Sequence, residues 1–213
     1  MGFLRLTSCI ALLALLQACA SMGKDECLNA DWRTIGYEDG ARGMPAGKIG
    51  ERRTDCAKYG VKPDLSAYLA GRTQGLNEYC KLENGYRVGA AGGQYGGVCP
   101  PRLEGAFLAG FNVGHQLFSL QAALRSVEAE IGSRHHELDR IKKQVEDKSV
   151  ALVAEETTTK QRLKLLADIK ELSERRARVK HEIAILSRER DARAAELNAF
   201  RDSHPGGLPM PST

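Results

Sequence analysis

Apolar positions fall along this chain in three rhythms, and each predicts a different element. Residues 10–16 form a short apolar run that follows one basic residue, Arg5, and ends in Leu16-Gln17-Ala18-Cys19. From there to about Pro101 apolar residues come in small clusters punctuated by Gly and Pro. This predicts short helices over 32–42, 51–59, 64–80 and 101–115, with Asp64 as an N-cap and with Pro63 and Pro100-Pro101 as start signals. From Leu117 the rhythm becomes a heptad: Leu120, Leu124, Val127, Ile131, Leu138, Ile141, Val145, Leu152, Leu166 and Ile169 share one alternating three-four register. That pattern predicts a coiled coil over 117–202.

Two architectures satisfy the heptad. A continuous helix over 117–200 would be about 125 Å long and would have to self-associate to bury its seam. A hairpin would turn near 155–159, where the seam is polar and where Thr158 and Gln161 are spaced as a capping box. No Gly or Pro marks a turn and the register runs on to Ile169, so the extended rod is favoured. Past Ile169 the seam slips by three residues to Leu172, a stammer, and continues through Val179, Ile183, Leu186, Leu197 and Phe200. Residues 203–213 are rich in Pro and Gly and read as a disordered tail.

The N-terminal run resembles a bacterial lipobox, with Leu at minus 3, a small residue at minus 1 and a Cys to be acylated. It assigns residues 1–18 to a signal peptide and Cys19 to lipidation. Leu6-Thr7-Ser8-Cys9 fits the pattern locally but leaves no room for a charged and an apolar region ahead of it. The run is also well short of the roughly 20 apolar residues that a membrane-spanning helix needs. Ala20 after the Cys, rather than Asp, resembles lipoproteins sorted to the outer membrane.

Composition separates the halves. Of 22 glycines, 16 precede Pro101, as do all six tyrosines, and beyond Leu117 the chain is Leu, Ala, Glu, Lys and Arg. This divides the mature chain into a small helical domain over 19–116 and the coiled coil. The formal charge of +4 identifies no anionic partner and argues against nucleic-acid binding. After Cys19, four cysteines remain: Cys27, Cys56, Cys80 and Cys99. An even number in an exported chain points to two disulfides. Sequence cannot choose among three connectivities; Cys27–Cys56 with Cys80–Cys99 closes the short loops and comes first. Spacings of 29, 24 and 19 do not suit zinc.

Three segments place two glycines four apart: Gly36 and Gly40, Gly71 and Gly75, Gly110 and Gly114. On a helix these share a face. Each costs the helix about 1 kcal/mol against Ala, so either another backbone approaches there or the glycines end short helices. Residues 84–97 hold six glycines but no phosphate-binding motif. They read as a compact loop whose Tyr86 and Tyr95 could form a recognition surface.

Several motifs resemble a known group. Asp31-Trp32-Arg33 with Gly36-Tyr37-Glu38-Asp39-Gly40, Cys56-Ala57-Lys58-Tyr59-Gly60, Tyr68-Leu69-Ala70-Gly71-Arg72, Tyr79-Cys80, Asn84-Gly85-Tyr86 and Val98-Cys99-Pro100 are similar to proteobacterial lipoproteins of domain-of-unknown-function family 2799. The resemblance spans about 19–118. It implies lipidation and disulfides, and it implies no reaction. The helical extension beyond Phe118 departs from the family core.

Catalytic constellations are absent from the pattern. There is no Ser in a nucleophile-elbow motif, Glu38 and Asp39 are adjacent and diverge on a helix, and His135 and His136 lack an i,i+4 partner. The cluster Arg175, Arg176, Arg178 and Lys180 is interleaved with glutamates, as on a coiled-coil exterior. The expectation is a mainly α, non-enzymatic protein without cofactor or metal, lipid-anchored at the periplasmic face of the outer membrane. It would use its coiled coil for self-association or partner binding. The alternative is a cell-wall or inhibitor-binding module built on the Tyr/Gly loop.

Overall fold

A computed structural model describes residues 21–206; the expected signal peptide, Cys19 and the tail residues 207–213 lie outside the described residues. The regular elements among the described residues are all helices: α1 Lys24–Leu28, α2 Trp32–Ala41, α3 Lys48–Ala57, α4 Leu65–Tyr79, α5 Leu82–Ala90, α6 Pro101–Val153 and α7 Thr159–Ser203. It forms two compact units. One contains the described residues up to Gly89 together with Gly93–Gly114, and the other contains Ala90–Gly92 and the residues from His115 onward.

In the first unit the expected cap, Asp64, is in place, and Asp31 supplies a cap that the sequence reading did not single out. Asp31 caps α2, accepting from the Arg33 and Thr34 amides, and these hydrogen bonds, foremost the one from the Thr34 hydroxyl, hold its carboxyl below the usual range. Asp64 caps α4 by accepting from Ala67 N at 2.9 Å. Helix α3 begins three residues before the predicted start and ends two before the predicted end.

The paired glycines bring backbones together. A Cβ on Gly71 would lie 1.9 Å from Arg33 O and one on Gly75 2.1 Å from Tyr37 O; reciprocally, one on Gly36 would lie 2.0 Å from Tyr68 O and one on Gly40 2.3 Å from Arg72 O. Helices α2 and α4 therefore touch along bare faces, a geometry that allows Cα–H···O contacts and that any side chain would forbid. Close approach, not helix termination, is why these glycines are there.

A second pair repeats the first. Gly85 on α5 faces Phe107 O, and Gly110 on α6 faces Leu82 O, with virtual Cβ distances of 2.1 and 2.0 Å. The sequences match as well: Gly36-Tyr37-x-x-Gly40-Ala41 recurs as Gly85-Tyr86-x-x-Gly89-Ala90, and Tyr68-Leu69-Ala70-Gly71 as Phe107-Leu108-Ala109-Gly110. The head is thus a doubled helix pair. This corrects the loop expected over 84–97, whose first half is helix α5. Its glycines are tolerated because they meet a backbone far along the chain.

Two small cores result. Met22, Cys27, Trp32, Cys56 and Tyr68 form one; Leu76, Cys80, Cys99 and Phe107, with Tyr79, Tyr95 and Phe111 against them, form the other. A disulfide sits in each: Cys27–Cys56 and Cys80–Cys99.

The second unit corrects the extended rod. Helix α6 does not stop near His115 but runs on to Val153, and after a turn α7 returns antiparallel to it. Arg134 pairs with Glu182 at 3.2 Å, Glu137 with Arg175 at 2.6 Å and Lys148 with Asp168 at 2.6 Å, so partners rise on one helix as they descend on the other. The hydrogen bond from Arg175, aided by Arg134, holds the Glu137 carboxyl below its ordinary range. The turn needs no Gly or Pro. Arg162 donates to Thr157 O and Ala154 O, the Thr157 hydroxyl donates to Ala151 O, and Thr158 with Gln161 forms the expected capping box.

The stammer disappears with the rod. Leu165, not Leu166, turns inward, and Leu165, Ile169, Leu172, Val179, Ile183, Leu186, Leu197 and Phe200 share one three-four register and are partly to fully buried, with exposed Arg176, Arg190 and Arg193 at the register positions between them. Leu166 is 51% exposed.

Candidate functional site

Among the described residues of the first unit one charged side chain, Asp39, is buried. Asp39, 1% exposed on α2, accepts two hydrogen bonds from the Arg52 guanidinium, at 2.6 and 3.0 Å, and one from the Tyr68 hydroxyl at 2.9 Å. Burial, reinforced by the bond to Asp39, pushes the Tyr68 hydroxyl well above the ordinary tyrosine range. All three groups are spent on one another. The cluster ties α2, α3 and α4 together and leaves no oxygen free for a substrate. Neighbouring Glu38 is exposed and pairs with Arg42, so the two adjacent carboxylates do diverge.

Beside this cluster, α3 and the segment 60–65 enclose an open groove of about 960 Å³. Its walls are mainly apolar, with Ile49, Ala57, Val61, Pro63 and Leu65 contributing, and Arg53 and Lys62 stand on its lining. Ile49 and Val61 also pack against the first core, so the walls are held from behind. Sequence reasoning missed this groove. Its only local trace is the open space at Gly47, Gly50 and Gly60, where a Cβ would meet nothing within 4 Å.

The expected site residues are placed as follows. Cys27, Cys56, Cys80 and Cys99 are all in disulfides, and Cys19 lies outside the described residues. Tyr86 is half-buried on α5 rather than in a loop. Tyr95 is used by the second core: its ring lies 4.8 Å from that of Phe107, and its hydroxyl donates to Glu104 and accepts from Cys99 N. His135 and His136 are exposed, and among the described residues no group of His, Cys, Asp or Glu is arranged to hold a metal. Within the described residues no helix is long and apolar enough to cross a membrane.

In the second unit, large apolar side chains remain exposed near the turn: Val150 at 70%, Val153 at 73%, Leu163 at 65% and Leu166 at 51%. In the register set by the ion pairs, Val150 lies level with Leu166 and Val153 with Leu163.

Residues 31–116 match the model of a family described as protein of unknown function (DUF2799). The match covers the doubled helix pair and ends just beyond Gly114. No curated protein and no solved structure matches the chain.

Proposed function

We propose that this chain, whose residues 31–116 match the DUF2799 family model, is a lipid-anchored envelope protein that acts as a non-enzymatic interaction module. Lipid on Cys19 would hold it at the periplasmic face of the outer membrane, and its helical hairpin would meet a second copy or a protein partner. The apolar tip carries this reading. Because the hairpin buries its own seam, association has to use the exterior, and of the large apolar side chains exposed there Val150, Val153, Leu163 and Leu166 gather near the turn, with Ile185 farther along α7.

Anchoring has its own support. The Met22 amide donates to Asp55 at 3.1 Å. Met22 is three positions beyond Cys19, so the head would begin within about 11 Å of the lipid. Four paired cysteines also suit an oxidising compartment.

The test is crosslinking in intact envelopes with the double variant Val153→Lys, Leu163→Glu. Loss of the crosslinked species with unchanged helical circular dichroism is the expected result. Undiminished crosslinking overturns the tip as the contact surface. Separately, Cys19→Ala should release the protein from membranes; retention with lipid labelling intact overturns the anchor.

A further inference from the structure

We propose that the groove beside α3 binds an anionic amphiphile, a single fatty-acyl chain carrying an acid headgroup. This goes beyond the interaction-module reading and does not depend on Cys19 or the hairpin.

Charge points to the headgroup. Every other cation on or next to α3 has a carboxylate partner: Lys48 pairs with Glu51, Arg52 with Asp39 and Lys58 with Asp55. Among the described residues Arg53 and Lys62 have none, and these two line the groove, with no acidic residue on its walls. An exposed cation pair beside apolar surface offers complementarity to an anion whose remaining atoms are apolar.

The walls point to the acyl chain. Ile49, Ala57, Val61, Pro63 and Leu65 are aliphatic, and Leu65 is 53% exposed although it is large and apolar. Directional recognition is weak. The lining hydroxyl, Thr54, donates to Gly50 O at 3.1 Å, so it is not free to select a sugar or a base. The volume of about 960 Å³ falls within the size range of small-molecule sites. The glycines keep the space open: Gly50 lines the groove, is helical, its backbone requires no glycine, and a Cβ there would meet nothing within 4 Å.

The full chain carrying Cys19→Ala, so that no attached acyl chain competes, should bind the fluorescent fatty acid cis-parinarate saturably at one site. Myristate should displace it, and myristyl alcohol should displace it more weakly. Gly50→Leu places a branched side chain on the groove wall and removes a helix-weakening glycine, so it should block binding while the thermal midpoint holds or rises. Arg53→Gln with Lys62→Gln should weaken myristate by about three- to tenfold and leave the alcohol unchanged. Binding that survives Gly50→Leu, or a charge-neutral pair that treats acid and alcohol alike, overturns the proposal. So does concentration-dependent dimerisation blocked by Gly50→Leu without parinarate binding, which would give the groove to a second copy. Preference for an acidic amphipathic peptide over myristate overturns it as well.

Discussion

At the scale of single residues, the doubled head contains its own control experiment. Asp39 and Tyr68 occupy in the first helix pair the positions that Val88 and Phe107 occupy in the second. One repeat buries a hydrogen-bonded charge, and the other packs a partly buried Val88 against the apolar core that holds Phe107. Breaking a buried charge pair from one side strands the other groups, whereas replacing both sides with apolar groups of similar shape does not. Asp39→Val alone should therefore cost about 3–5 kcal/mol, because Tyr68 and Arg52 lose their common acceptor. Tyr68→Phe alone should cost about 1.5–3 kcal/mol. The double variant should cost less than the sum by at least about 1 kcal/mol, measured by urea unfolding of the oxidised protein; additive costs would remove the equivalence of the repeats. The same contact sets an alkaline limit. Tyr68 holds its proton in the folded head to a pH well above the value near 10 at which an unfolded tyrosine releases it. Between those two values the unfolded state binds fewer protons, so stability falls as pH rises past about 10. Urea midpoints taken from pH 8 to 11 should decline for the parent and decline less for Tyr68→Phe.

At the scale of elements, the hairpin is the feature that most needs a direct measurement. Antiparallel packing sets the two helix axes about 10 Å apart, whereas a continuous helix would separate Arg140 from Arg176 by about 54 Å. Spin labels at these two exposed positions should report a short distance that persists when labelled protein is diluted into unlabelled protein. A long distance, or a short one lost on dilution, would restore the rod. The reason sequence favoured the rod is physical. Turns are read from Gly and Pro, and this one closes its carbonyls with the side chains of Arg162 and Thr157 instead. The register past the turn was also misleading, because Leu166 continues the α6 series in number while Leu165 begins the α7 seam in space. By contrast α4 was legible from its cap, because Asp64 acts within three residues; Asp31 caps α2 in the same local way, although it was not singled out. Helix α5 was not. Its glycines look like a turn until Phe107, more than twenty residues away, is seen to cover Gly85. The groove was hidden for a similar reason, since Ile49 and Leu65 become neighbours only after α3 and α4 have packed.

At the scale of the whole molecule, the two units are held by different means. The first unit rests on bare-glycine contacts, two small cores and two covalent links; the second rests on a seam between two helices and on ion pairs that cross it. The stability of the first should therefore respond to redox conditions and that of the second should not. The chain supplies a reporter for each. Trp32 is the sole tryptophan, lies in the core built around Cys27–Cys56 and is 8% exposed, so its fluorescence follows that core. Far-ultraviolet circular dichroism is weighted toward the long helices α6 and α7. Replacing Cys27 and Cys56 together by Ala removes a link that closes a loop of 29 residues, for which a loss of about 2–4 kcal/mol is expected. The tryptophan transition in urea should fall by that amount, while most of the helical signal keeps its midpoint. Coincident shifts of both signals would mean that the chain unfolds as one cooperative body. An arm that kept its fold while the head was reduced would go on presenting Val150, Val153, Leu163 and Leu166, and partner capture through the tip would then outlast the loss of the head disulfide.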